Sequence, residues 1–103
     1  MIFETAQIEV LPGHAADFEA GVAQALPLFA RARGCGGAEL HRVIETENRY
    51  VLLVRWETVD DHLIGFRQSE DFQTWRQLVG SHFARPPEVF HTETTGKSAD
   101  LSR

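Results

Sequence analysis

Apolar and polar residues along this chain first alternate, then recur at helical spacing, and the alternation of the two patterns outlines its elements. Over residues 2–10, Ile2, Ala6, Ile8 and Val10 fall on one side and Phe3, Thr5, Gln7 and Glu9 on the other, the period of a strand. Leu11-Pro12-Gly13 breaks that pattern. From about His14 the spacing becomes helical: Phe18, Val22 and Phe29 form a stripe, with Ala15, Ala25 and Leu26 beside it. Pro27 lies inside this helix, where it removes a backbone donor and its ring collides one turn back, so a kink or a restart is expected there. Gly34-Cys35-Gly36-Gly37 ends the helix. Residues 38–45 alternate again, with Leu40, Arg42 and Ile44 facing one way and Glu39, His41 and Val43 the other. Thr46-Glu47-Asn48 turns the chain directly into Tyr50-Val51-Leu52-Leu53-Val54, so these two strands pair antiparallel. That nearly unbroken apolar run predicts a strand covered on both faces.

A short helix follows. Thr58 supplies an N-cap, Asp60 and Asp61 suit the positive end of the helix dipole, and His62 and Phe66 are four apart and share a face. Ser69 caps a second helical piece whose apolar stripe is Phe72, Trp75 and Val79. Gly80 ends it, Arg85-Pro86-Pro87 runs extended, and residues 89–95 form a last strand. Residues 1–95 are expected to form one domain and residues 96–103 a loose polar tail. The order strand, helix, strand, strand, helix in two pieces, strand is the split βαβ, ferredoxin-like α+β arrangement: a four-stranded antiparallel sheet with helices on one face. The other sheet face, apolar at several positions, calls for a second copy packed sheet to sheet as a homodimer.

Composition narrows the function. The chain has 103 residues, a net charge of −5 and a pI near 5.4, which argues against nucleic acid as a partner. No window reaches the length of a membrane span, and the N-terminus has no signal-like pattern. With a single cysteine, Cys35, an intrachain disulfide is excluded and a cytoplasmic setting is the expectation. The five histidines include no His-x-His or His-x-x-x-His pair, so no metal site is predicted.

Taken in order, Leu11-Pro12-Gly13, Gly34-Cys35, Trp56-Glu57-Thr58, His62, Phe66, Ser69, Phe72, Trp75 and Pro86-Pro87 resemble the antibiotic biosynthesis monooxygenase domain family over residues 2–95. The resemblance implies the dimeric α+β barrel fold. It also implies a cofactor-independent oxygenase that oxidises a small electron-rich aromatic or quinol with molecular oxygen, using no metal, haem or flavin. Such chemistry needs a flat apolar slot, a proton acceptor and a donor that steadies the developing anion. Trp56 matches a pocket tryptophan of those oxygenases, His62 stands where they carry a tyrosine, and Arg76 matches an arginine. Their strand asparagine is Leu52 here. On this basis His62 and Arg76 are the catalytic candidates. Trp56, Leu52, Phe66 and Phe72 are expected to form the substrate slot, with His41 and His91 lining the same cavity from their strands. His62 is expected to direct one ring nitrogen into that cavity. The competing expectation is a non-catalytic ligand-binding or structural dimer, in which His62 bonds backbone or Asp61 and only packs its helix onto the sheet. Haem degradation, the other activity of this fold, fits poorly. Its asparagine, tryptophan and histidine would fall near Ala6 or Gln7, at Phe66 and at Arg76.

Overall fold

The computed structural model of the chain describes residues 1–99; the end of the expected tail, residues 100–103, lies outside the described residues. The elements are β1 (Ile2–Glu9), α1 (Ala15–Ala30), β2 (Cys35–Arg42), β3 (Arg49–Trp56), a π-helical turn (Asp61–Phe66), α2 (Glu70–Val79), a 3-10 turn (Gly80–His82) and β4 (Glu88–Glu93). The strands form one antiparallel sheet in the order β2-β3-β1-β4, the predicted ferredoxin-like topology with the helices on one face.

Register decides which residues face the helices. Ile2, Glu4, Ala6 and Ile8 of β1 stand opposite Trp56, Val54, Leu52 and Tyr50 of β3, and Val89 and His91 of β4 stand opposite Ala6 and Glu4. This side is the core, where Tyr50, Leu52, Val54 and Trp56 meet Phe18, Val22, Ala25 and Phe29 of α1 and Trp75 and Val79 of α2. The expectation that β3 is covered on both faces is corrected within a single chain. Only alternate residues are buried, and Val51 and Leu53 are half-buried on the open face, because every helix packs on the other side. Phe3 and Phe90 stand exposed on that open face.

Several local expectations change. α1 continues through Pro27 to Ala30 without a restart; only one turn of helix remains beyond the proline, and Arg31 N–H still bonds the Pro27 carbonyl at 3.2 Å. Leu26 is exposed, whereas Leu28, just past the proline, joins the buried stripe. β2 begins at Cys35 rather than at residue 38, because a bulge between Cys35 and Gly37 lets the glycine-rich stretch pair with Trp56 and Arg55. Gly37 holds φ +140°, a conformation that favours glycine over any residue with a side chain. β4 ends two residues early, at Glu93.

Both predicted caps form, Asp61 N–H donating to Thr58 Oγ1 at 3.1 Å and Phe72 N–H to Ser69 Oγ at 3.2 Å. Between them the backbone widens. Arg67 N–H bonds the His62 carbonyl at 2.9 Å, five residues back, so the expected short α-helix is a π turn. α1 and α2 approach closely at Gly21, where an added Cβ would sit 2.6 Å from the Leu78 carbonyl oxygen. The sheet, the π turn and α2 thereby enclose a space that the chain's own side chains leave unfilled.

Candidate functional site

A cavity of about 490 Å³ lies between the core face of the sheet and α2. Ala6, Ile8, Leu52 and Val89 form its sheet wall, Phe66, Phe72, Trp75 and Phe29 its helix wall, and Phe83, Pro86 and Pro87 close one side. The aromatic wall is rigidly interleaved, with Phe29 lying 4.8 Å from Phe66 and 5.2 Å from Trp75, centroid to centroid. Its polar wall consists of Glu4, His62, Arg67, Arg76 and Arg85 together with the Gly80 backbone.

Glu4 is the residue that the sequence reading missed. It stands on the core face of β1, between Ile2 and Ala6, with 5% of its surface exposed. Burying a carboxylate costs several kcal/mol unless its oxygens find partners. Trp56 supplies one, its indole N–H donating to Glu4 Oε1 at 2.9 Å. His62 Nε2 lies 3.3 Å from the same oxygen, longer than a good hydrogen bond. On the other side of its ring, His62 Nδ1 lies 2.8 Å from His91 Nε2. Trp56 also stacks on His62 at 5.4 Å with 18° between the planes, which fixes the ring orientation. The result is a row of side chains: Trp56, Glu4, His62, His91.

Burial sets the charges in this row. It raises the Glu4 carboxyl above its usual range, against the opposing pull of the Trp56 hydrogen bond and the Arg67 charge. Burial, followed by the His91 and Arg67 fields, lowers His62 to about 4, so its ring is neutral at pH 7. A neutral His62 bonds His91 in one of two ways. With Glu4 ionised, His62 holds its proton on Nε2 toward the carboxylate, and Nδ1 accepts from His91 Nε2–H. With Glu4 protonated, the acid proton points at Nε2, and Nδ1–H donates to His91. The second arrangement turns into the first when Glu4 gives its proton to His62 Nε2 and His62 Nδ1 gives its own to His91 Nε2, which leaves Glu4 ionised and the half-buried His91 an imidazolium.

The predicted site residues divide accordingly. Leu52, Phe66, Phe72, His62 and Arg76 all line the cavity. Trp56 does not: it is fully buried behind His62 and Phe66 and acts on the cavity through Glu4. His91 is also off the wall and reaches it only through His62. His41 is on the opposite side of the sheet, bonded to Glu39 at 2.7 Å, because it alternates with Leu40, which pairs with Leu52 on the core face. His62 bonds His91 through Nδ1 and stands on the cavity wall with Nε2 3.3 Å from Glu4; backbone and Asp61 are not its partners. Arg67 is a lining residue with no counterpart in the sequence reading; the π turn carries it to the rim. Among the described residues no group of three or more histidine, cysteine, aspartate or glutamate side chains is placed to hold a metal ion. No helix among them is long and apolar enough to cross a membrane.

Comparison with known proteins assigns this ferredoxin-like domain to a family. The family pattern described as antibiotic biosynthesis monooxygenase matches residues 1–78, and the chain belongs to that family. A crystal structure from Bordetella bronchiseptica, provisionally named an antibiotic biosynthesis monooxygenase, is 63% identical over 91% of this chain and 96% of that one, with a TM-score of 0.90. The uncharacterised protein YczJ of Bacillus subtilis is 34% identical over 88% of this chain and 96% of its own length. SnoaB from Streptomyces nogalater, described as a cofactor-independent oxygenase and solved as a mutant, is 19% identical over 96% of this chain and 97% of that one. It superposes with a TM-score of 0.76, a likeness of fold.

The lowered His62 pKa has a consequence for stability. An unfolded histidine titrates near 6.5 and the folded one near 4. Between those values the unfolded chain binds a proton that the folded chain refuses, so stability should fall as pH drops through that window. Glu4, being raised, acts in the opposite sense: its contribution falls as pH rises through its folded pKa. His62→Gln removes the first effect and keeps the second. Denaturant melts at about pH 4.5 and about pH 6.5 should therefore show a smaller acid loss in the variant than in the wild type. Equal acid losses would mean that His62 titrates as an ordinary histidine.

Proposed function

We propose that this protein is a cofactor-independent monooxygenase acting on a small, electron-rich aromatic or quinol. The observation that carries the reading is the Glu4–His62–His91 row opening onto an aromatic-walled cavity. The cavity has room for one flat, drug-sized ring system. A ring seated between Leu52 and Phe72 presents its acidic O–H or C–H to Glu4 and His62. Glu4 takes the proton and becomes a neutral acid beside His62, so no full charge is stranded on the buried carboxyl. The substrate anion then reduces molecular oxygen directly and adds it. For an activated methylene, the peroxide so formed takes a proton and loses water, so that CH2 and O2 give C=O and H2O with all four electrons drawn from the substrate. Trp56 is a positioning residue, because it holds Glu4 and the His62 ring. Arg76, at the rim, orients the substrate. Membership of the family and the fold shared with an oxygenase described as cofactor-independent support the reading.

The same reading has two copies pair through the open sheet face, where Phe3, Val51, Leu53 and Phe90 leave an apolar patch that one chain does not cover. Sedimentation at micromolar concentration should give twice the 11.6 kDa chain mass, and Leu53→Asp should give the monomer. A wild-type monomer would contradict the pairing.

Oxygen uptake on a panel of hydroquinones and anthrones tests the chemistry. Glu4→Gln keeps an oxygen for the Trp56 N–H but cannot hold the proton, and His62→Gln interrupts the row. Each should lower turnover by about 10²-fold or more while the chain stays folded. No uptake above the uncatalysed rate on any substrate, or unchanged turnover in both variants, would overturn the assignment and favour a non-catalytic binding domain.

A further inference from the structure

The polar lining of the cavity is sorted by charge. Glu4 is the sole acid among the lining residues and lies on the buried side. Arg67, Arg76 and Arg85 line the same cavity and are exposed, so they form its rim. Three cations around one opening run against the overall charge of −5. The three differ in their partners. Arg85 reaches Glu9 at 3.4 Å, an acid that Arg49 also contacts at 3.2 Å. Neither Arg67 nor Arg76 has a carboxylate within ion-pair distance among the described residues. Arg67 is also held in place. The π turn fixes its backbone, and its guanidinium sits over the Phe72 ring at 5.8 Å, on the cavity wall.

We propose that the ligand of this cavity carries an oxyanionic substituent, such as a carboxylate, which Arg67 and Arg76 hold at the rim while its acidic O–H or C–H faces Glu4 and His62. This rests on the reading of the cavity as a substrate site and narrows the substrate class to aromatic acids and their phosphorylated or sulfated analogues. A guanidinium offers an oxyanion two parallel N–H donors, so the anchor fixes the ring's direction as well as adding affinity. It also fixes which edge of the ring meets the proton acceptor. A neutral quinol would lack that handle and would sit in the slot in several orientations.

The test reads binding rather than turnover, so it separates this proposal from the oxygenase reading. Quenching of indole fluorescence is followed under anaerobic conditions, since Trp75 lines the cavity. The probes are a dihydroxybenzoate, its neutral methyl ester and an aryl phosphate of the same ring. The acid and the phosphate should bind about tenfold or more tighter than the ester, the contribution of one charge-assisted hydrogen bond. That advantage should shrink with added salt and disappear in the Arg67→Gln, Arg76→Gln double variant. The ester's affinity should hardly change in the variant. Equal binding of acid and ester, binding of none of the probes, or an acid preference that survives both substitutions would overturn the proposal. Preferential binding of the acid without oxygen uptake would uphold it and count against the oxygenase.

Discussion

One buried carboxylate governs this structure. Glu4 sits on the core face of the sheet, and its cost in a low-dielectric interior is met by neighbours that the strand registers supply. His91 of β4 stands directly opposite it, and Trp56 of β3 lies one pair along on the other side and donates its indole N–H. A one-residue slip of either strand would turn Glu4's partners to the open face and leave the acid unpaired among apolar groups. The π turn completes the arrangement from above by setting His62 against both Glu4 and His91 with its ring stacked on Trp56. Fold and site thus share contacts: Trp56, packed in the core against Phe66 and His62, is also the hydrogen-bond partner of Glu4.

The architecture was legible because strands of period two and helices bounded by caps occur in a single order, and only one common topology uses that order. Pro27 misled because its penalty depends on how much helix follows, and a single remaining turn tolerates it. The π turn was invisible since 61–66 carries ordinary helical spacing; five-residue hydrogen bonding has no distinct hydrophobic period. His62, Phe66 and Phe72 were placed on the cavity because the family resemblance and the helical face agreed on them, and Leu52 and Arg76 because of the resemblance alone. Glu4 was missed although β1 displays it: an acid at the parity of Ile2, Ala6 and Ile8 is a charged residue on an apolar face. His41 illustrates the same rule from the other direction, as its alternation with Leu40 already placed it away from the core. His91 could not be interpreted from sequence alone, because its role comes from a partner 29 residues away.

Leu52 changes what the cavity floor can do. The oxygenases that this chain resembles place an asparagine there, and here the position is apolar, opposite Ala6. On our reading the polar duty has moved one strand across, to Glu4, with His62 as its partner. This arrangement separates two tasks by depth: an ionisable pair at the buried wall, and arginines at the rim. Because Arg67 also opposes protonation of both Glu4 and His62, the rim and the floor are electrostatically coupled, and an anion bound at the rim would weaken that opposition.

The central claim is that His62 is a neutral link between Glu4 and His91, and nitrogen NMR of the histidine rings tests it most directly. With histidine labelled by ¹⁵N, and His62 assigned by its loss in His62→Gln, the His62 ring should stay neutral from pH 7 down to about 4. At neutral pH one of its nitrogens should be protonated and the other a hydrogen-bonded acceptor. A His62 ring that gains its second proton near pH 6.5, or whose two nitrogens exchange as a free imidazole's do, would contradict the account.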